Sequence, residues 1–206
     1  MSLRTTSIKV YGALLVFGLM VVVVYFQSRP ASPPIDSVVT LGVGVDLEGK
    51  PVDLFASKSR HGVVLIFIKV DCPNSNRYAP EIRRLHEEFT SRGFKLWVVY
   101  PDPETTVLDL LKHQAEYQLP KDVLRDPAHA LVGLSQVSVT PEAAVFLADG
   151  QLVYHGRIDN RHVDFGSTRP EATEHNLRQV LQQIEQGGKV TPSSTTAVGC
   201  YINRIQ

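Results

Sequence analysis

Val63-Val64-Leu65-Ile66-Phe67-Ile68, followed closely by Cys72-Pro73-Asn74-Ser75-Asn76-Arg77-Tyr78-Ala79-Pro80-Glu81-Ile82-Arg83-Arg84-Leu85, is the stretch that decides the fold. Its first part is apolar and β-branched and reads as a buried strand. Its second part turns into a helix, with Cys72 as the N-cap and Pro73 as the first helical residue, where a missing N–H costs nothing. A cysteine at that junction sits among unpaired backbone N–H groups at the positive end of a helix dipole. That setting lowers a thiol pKa and makes the thiolate available as a nucleophile. Cys72 is therefore the candidate nucleophile, against the plainer reading of a buried, inert cysteine. Asp71 raises the pKa of a nearby thiol if its carboxylate points inward, and has no such effect if it is solvated.

Outward from this stretch the chain alternates strands and helices. Val38 to Val45, around Gly42 and Gly44, pairs with Val52-Asp53-Leu54 across Glu48-Gly49-Lys50 as an N-terminal hairpin. Val63–Val70 is the first central strand. Ala79–Ser91 is an amphipathic helix, with Ile82, Leu85 and Phe89 on one face and Gly93 beyond its end. Phe94–Tyr100 is a second buried strand. Glu104–Tyr117 is a helix with Val107, Leu110 and Leu111 inward. Val123-Leu124 is extended, and Ala128–Leu134 is a short helix. Val139-Thr140-Pro141 leads into a strand that ends at Leu147. Asp149-Gly150 is a tight hairpin turn into Gln151–Gly156. Ala172–Gln186 is the last helix, with Leu177, Val180, Leu181 and Ile184 at helical spacing. This order predicts an α/β fold, a mixed sheet covered by helices. Beyond Gly187-Gly188 a tail with no strong period runs to Gln206.

At 206 residues the chain buries one good core. Its formal net charge is zero, which leaves no electrostatic footprint for nucleic acid. The N-terminus stands apart from that core. Val10–Phe26 carries no charge and follows Arg4 and Lys9. As a helix it spans about 25 Å at ~1.5 Å per residue. Ile8 extends this apolar length if Lys9 snorkels. The run is longer than a usual signal-peptide apolar region, and Gln27-Ser28-Arg29-Pro30 makes a poor cleavage site. The segment is therefore read as an uncleaved transmembrane signal-anchor rather than a cleaved signal peptide or a globular helix. The positive flank keeps residues 1–9 cytoplasmic and puts the domain on the extracytoplasmic, periplasmic side. Residues 27–36, with Arg29-Pro30-Ala31-Ser32-Pro33-Pro34, form a stiff Pro-rich linker.

Cys72 to Pro80 resembles the thioredoxin active site, C-x-x-C-x-x-x-A-P. Ala79-Pro80 stands at the family's distance from the first cysteine, and Ser75 replaces the second. Val139-Thr140-Pro141 looks like the same family's cis-proline loop. In order and spacing the chain is similar to the redoxin (AhpC/TSA-like) branch of the thioredoxin-like superfamily. That branch includes peroxiredoxin-like proteins and thiol–disulfide proteins tethered to membranes. The resemblance implies a thioredoxin-like mixed β-sheet flanked by helices over residues 37–187, with the N-terminal hairpin as an extension. It implies that Thr140 and Pro141 lie beside Cys72 and bind substrate. It implies protein thiols, protein disulfides or peroxide as partners, with no cofactor and no metal.

The departures from the pattern matter. Ser75 excludes a disulfide inside the motif, though its hydroxyl can hydrogen-bond a Cys72 thiolate. Lys69 stands where peroxiredoxins carry a threonine that shapes the peroxide pocket. Asn76 stands where copper-delivering members have a second cysteine, and His155 or His162 alone does not make a soft metal site. Arg157, Asp159 and His162 either line the rim of the cysteine or form surface ion pairs of little worth, and the second reading is the simpler. Cys200, in a tail of residues 188–206, is the only other cysteine. Two cysteines in an exported domain suggest pairing. Cys200 is a resolving thiol for Cys72, or half of a structural bridge that silences it, or the partner of another molecule's thiol. The expectation is an extracytoplasmic thiol oxidoreductase, either a thiol–disulfide enzyme or a peroxiredoxin-like antioxidant enzyme. The alternative is a non-catalytic binding module of the same fold with a structural disulfide.

Overall fold

Asp46 closes the first turn of the domain by accepting from the backbone N–H of Glu48 at 3.0 Å and of Lys50 at 2.8 Å. This turn joins β1 (Val43–Val45) to β2 (Pro51–Asp53) as an antiparallel hairpin. The structure is a computed structural model and describes residues 42–203 except 57, 58 and 165. The described residues all belong to one compact unit, Leu41–Gln206. The expected cytoplasmic N-terminus, signal-anchor and linker lie outside the described residues. Among the described residues no helix is long and apolar enough to cross a membrane.

The decisive apolar run becomes β3 (Gly62–Phe67), buried at every position. It ends at Phe67, three residues before the expected Val70. The chain then turns through Lys69–Asp71 into α1 (Pro73–Ser91), whose N-cap is Cys72. The helix starts at Pro73, as the N-cap reading of Cys72 predicts, and continues into the expected amphipathic stretch from Ala79. One helix runs through Pro80, forgoing the single N–H that proline lacks. β4 (Phe94–Tyr100) follows, as the sequence predicts. α2 is shorter than expected, Val107–Glu116, because the Thr106 hydroxyl caps it by accepting from the Asp109 N–H at 3.2 Å. Its inward face also differs. Leu110 and His113 are buried, while Leu111 is 46% exposed. β5 (Val123–Arg125), α3 (Ala130–Ser135), β6 (Val139–Thr140), β7 (Glu142–Leu147) and β8 (Leu152–Gly156) come next. A small hairpin, β9 (His162–Asp164) with β10 (Ser167–Thr168), precedes α4 (Asn176–Glu185). α4 starts later than expected because the Asn160 side chain captures the chain before it, accepting from Thr173 N at 2.8 Å and Glu174 N at 3.1 Å.

Among the described residues the main sheet has seven strands, in the order β2-β1-β5-β4-β3-β7-β8. β3, β4 and β5 run parallel to one another, and the β7–β8 hairpin is antiparallel beside β3. A central strand covered on both faces is apolar on both. Val64 and Ile66 face one cluster, with Ile82, Leu85 and Phe89 of α1 and Leu177, Val180 and Leu181 of α4. Val63, Leu65 and Phe67 face the other, with Leu54, Leu131 and Phe146.

The tail, which shows no period in the sequence, is nevertheless ordered against this frame. Gln183 clamps its beginning, accepting from Thr191 N at 2.9 Å and donating to Thr191 O at 3.2 Å. Ser193 and Thr195 then bond to His155 on β8. Finally β11 (Cys200–Tyr201) pairs antiparallel with β6.

Candidate active site

The end of β3, the start of α1, the β6–β7 junction and the tail converge on Cys72. Its backbone is extended, with φ −91° and ψ 109°, as an N-cap requires. Its side chain is wholly buried, and in the thiol form Sγ donates to the Thr140 carbonyl at 3.1 Å. The Thr140–Pro141 peptide bond is cis. The structure thus brings together Cys72, Thr140 and Pro141, as the resemblance implies.

Ser75 is also at the site. It is buried, and its Oγ accepts from the Lys69 N–H at 3.3 Å. Burial pushes the Cys72 pKa up. Hydrogen bonds from the Cys200 thiol, from the Ser75 hydroxyl and N–H and from the Thr140 hydroxyl outweigh it, and the Cys72 pKa lies below the ordinary thiol value. The Cys200 pKa is pushed up to about 12, by burial, by its hydrogen bond to Cys72 and the charge there, and by Asp71. The two thiols are thus unequal: the surroundings favour the thiolate at Cys72 and the protonated thiol at Cys200. Both cysteines are free thiols in this structure. Asp71 acts on Cys200 rather than on Cys72. Its side chain is 71% exposed and pairs with Lys69 at 3.4 Å. Lys69 also pairs with Asp102 at 3.2 Å, which holds the turn that carries Cys72.

Three groups that the sequence reading does not single out shape the site. Tyr100 O–H donates to His113 Nδ1 at 2.8 Å, and His113 Nε2 then carries the proton to Asn76 Oδ1 at 2.8 Å. Asn76 Nδ2 donates in turn to the Val70 carbonyl at 3.3 Å. Burial holds the His113 pKa down, in keeping with the neutral ring this chain needs. Asn76 therefore orients the turn before Cys72 instead of supplying a second ligand. Glu142, buried directly after Pro141, accepts from Ser138 N at 2.8 Å and Val139 N at 3.2 Å and fixes the loop that presents Thr140. Gly199 sits tight against Thr140. A small residue next to Cys200 is the one sequence signal of that approach.

The rim differs from the expected surface ion pairs. Arg157 does pair with Glu174, at 2.6 Å, and also donates to Asn176. Asp159 and His162 are buried behind α1. Asp159 accepts from the Tyr78 hydroxyl, and His162 packs on the Tyr78 ring at 5.2 Å between centroids. Burial and then the neighbouring Arg77 hold the His162 pKa down. These side chains brace the N-terminal half of α1 through Tyr78. No group of three or more metal-ligating side chains occurs among the described residues.

A parallel β3–β4–β5 core, an antiparallel hairpin at its edge, and a cysteine capping a helix beside a cis-proline define a thioredoxin-like fold of the redoxin branch. Residues 36–155, more than half of the chain, match the AhpC/TSA family, and the chain belongs to it. Solved structures agree on the fold. An uncharacterized conserved protein from Geobacillus kaustophilus superposes with a TM-score of 0.67 at 22% identity, covering 79% of this chain and 88% of that one. A hypothetical protein from Sinorhizobium meliloti 1021 gives 0.65 at 20% identity, covering 78% and 88%. A putative thiol:disulfide interchange protein DsbE from Chlorobium tepidum gives 0.50 at 20% identity, covering 70% and 90%. A search of curated proteins finds no match.

Proposed function

We propose that this chain is a membrane-anchored, extracytoplasmic thiol oxidoreductase. Cys72 is its nucleophile toward disulfides or peroxides and Cys200 its resolving thiol. The observation that carries the reading is that Thr140, in cis linkage to Pro141, holds both cysteines: the Cys72 sulfur lies 3.1 Å from its carbonyl and Cys200 pairs with it across β6 and β11. The Cys72 thiolate attacks one sulfur of a substrate disulfide, and the other leaves as a thiolate. Cys200 gives up its proton and attacks the Cys72 sulfur, and the bound substrate half leaves as a second thiolate. The substrate gains two electrons and the chain is left with a Cys72–Cys200 disulfide. With a hydroperoxide, Cys72 takes the distal oxygen as a sulfenic acid, and Cys200 displaces it as water. An external dithiol resets the pair. Thr140 and Pro141 form the substrate edge, and Ser75 steadies the thiolate. The anchor and its orientation are supported by Val10–Phe26 with Arg4 and Lys9 before it.

The complete burial of Cys72 favours a second reading, a non-catalytic module whose cysteines form a structural bridge. Rapid thiol trapping with mass spectrometry separates the two. The enzyme goes from two thiols to one internal disulfide after a single equivalent of insulin or hydrogen peroxide, and Cys200→Ser accumulates a mixed disulfide or sulfenic acid on Cys72. A bridge that resists mild reduction, with no adduct in Cys200→Ser, establishes the module instead.

A further inference from the structure

The segment that carries the chain from β8 to α4 is braced by its own hydrogen bonds. Asn160 Nδ2 donates to the Thr173 hydroxyl at 2.8 Å, in addition to the two N–H groups its Oδ1 accepts. Arg169 N donates to the Arg161 carbonyl at 2.8 Å, so these two arginines stand together at the open end of the β9–β10 hairpin. Their side chains are also held by backbone. The Arg161 guanidinium donates to the Pro170 carbonyl at 3.2 Å, and that of Arg169 to the Asn160 carbonyl.

Arg77, on the first turns of α1, joins them. Arg77, Arg161 and Arg169, with His162, Thr168 and Pro170, line a cavity of about 520 Å³. No carboxylate lines it. Arg84, Arg92, Arg157 and Arg178 each pair with a carboxylate. Among the described residues Arg77, Arg161 and Arg169 have no ion pair, and the Arg77 side chain has no hydrogen bond. Arg77 and Arg161 also border a smaller cavity of about 280 Å³ with Glu81, Asp159 and Glu171. Asp159 is spent on the Tyr78 hydroxyl and on Arg161 N, and Glu81 on Arg84 and Arg178. The larger cavity therefore has a cationic rim without counter-charge. Three like charges gathered in one place repel, and an anion between them turns that repulsion into attraction. A carbonyl takes one of the five donors of a guanidinium and leaves the others for a ligand. It also fixes the fork, so less freedom is lost when an oxyanion binds.

We propose that this cavity is a binding site for a small molecule bearing a tetrahedral dianion, with phosphate monoesters as the chemical class. A carboxylate would leave two of the three positive charges unmet. The three terminal oxygens of a phosphate monoester form three edges, one for each guanidinium fork. The forks reach the cavity from α1, from before β9 and from after β10. Thr168 adds a hydroxyl to the lining, and the cavity is larger than a phosphate group, which leaves room for the organic remainder beside Pro170. The site does not depend on whether Cys72 reacts.

The His162 ring is the reporter. It is faced by Arg77 and Tyr78 from α1 and by Asp159 and Arg161 from the approach to β9, and it shares the cavity with Arg169. Burial and then Arg77 hold its pKa down; Asp159 opposes them and Arg161 adds to them. The full-length chain in detergent, with ¹³C-labelled histidine, is titrated by NMR at fixed ionic strength. Three probes are compared: sulfate, which stays doubly charged throughout, glycerol 3-phosphate, and succinate, a dianion with no tetrahedral group. A negative charge among the arginines favours the imidazolium. Saturating sulfate or glycerol 3-phosphate is expected to raise the His162 pKa by about half a pH unit or more. His86, held by Asp122, is expected not to move. Arg77→Gln is expected to weaken glycerol 3-phosphate binding by about tenfold, and Arg161→Gln with Arg169→Gln by more. Arg92→Gln, which alters a guanidinium already paired with Glu88 and Glu185, is expected to leave it unchanged. No saturable shift of His162 with either tetrahedral probe overturns the site. Equal weakening by Arg77→Gln and Arg92→Gln overturns it too, since that is the behaviour of general screening. Succinate bound as tightly as glycerol 3-phosphate overturns the assignment to phosphate monoesters. Arg77→Gln removes no hydrogen bond among the described residues, so it decides even if the paired variant fails to fold.

Discussion

Cys72 and Cys200 both meet the Thr140 backbone, but the chain brings them there in different ways. Cys72 is placed by its neighbours. A fully buried strand ends five residues before it, a long helix starts one residue after it, and both are embedded in the two hydrophobic clusters. Cys200 is placed by partners distant in sequence: Gln183 on α4, His155 and Tyr154 on β8, Ser138 just before β6 and Thr140 on it. The first arrangement is rigid because removing it means opening the core. The second is a row of separable contacts, each worth about a kcal/mol. A redox pair needs this asymmetry, since one sulfur must keep its place while the other comes and goes.

The largest effect belongs to the fixed partner. Cys72→Ser is expected to drop thiol-dependent turnover to the buffer rate, a loss of at least about 10³-fold, with an unchanged circular dichroism spectrum. Turnover that survives in this variant removes Cys72 from the chemistry. Next comes the contrast in anchoring. Ile66→Ala, at a fully buried core position, is expected to cost about 2–5 kcal/mol in urea unfolding. Ile202→Ala, in the tail, is expected to cost less than about 1 kcal/mol. Equal losses would mean that the tail is as integral as the sheet. Smaller again, Thr195→Val keeps the side-chain shape but removes the hydroxyl that accepts from Arg157 N. It is expected to lower stability by about 1 kcal/mol, and the fraction of molecules with Cys72 open to rapid alkylation is expected to rise with it.

The last prediction is a displacement along the pH axis. The Cys200 thiol donates to the Cys72 thiolate and so favours the charged form. Removing the donor in Cys200→Ala shifts the Cys72 pKa upward, so the alkylation rate of Cys72 rises with pH later than in the wild type. Ser75→Ala shifts it in the same direction. A midpoint that stays put or moves down in Cys200→Ala shows that the donor lies elsewhere.

What the sequence made legible divides along the same line. The run from Val63 to Leu85 carries its own period, punctuation and cap, so the strand and the cysteine at the helix start are readable before any coordinates, while the nearness of Pro141 is implied by the resemblance of Val139-Thr140-Pro141 to a cis-proline loop. β4, the hairpin at Asp149-Gly150 and the inward face of α4 are readable for the same reason. The errors fall where a distant group decides. Leu111 has the right spacing for the core, but His113 takes the inward position because Tyr100 and Asn76 offer it hydrogen bonds. Asp159 and His162 look like surface charges until Tyr78 is seen to engage both. The tail has no period because nothing in it packs as a helix or a long strand. Its place is written at Gly156 and Gly199, whose missing side chains gain meaning only when the opposing backbone is known.

Cys72 has no exposed surface, and this has a consequence for kinetics. A covered sulfur reacts only from the uncovered fraction of molecules, so at low reagent the apparent rate constant is the intrinsic one multiplied by that fraction. At high reagent every uncovering ends in reaction, and the rate stops rising. The plateau is then the rate of uncovering itself, the same number for every reagent small enough to use the same opening. Saturation curves for a few chemically unrelated alkylating agents, all converging on one ceiling, would time the movement of this chain without a probe attached to it.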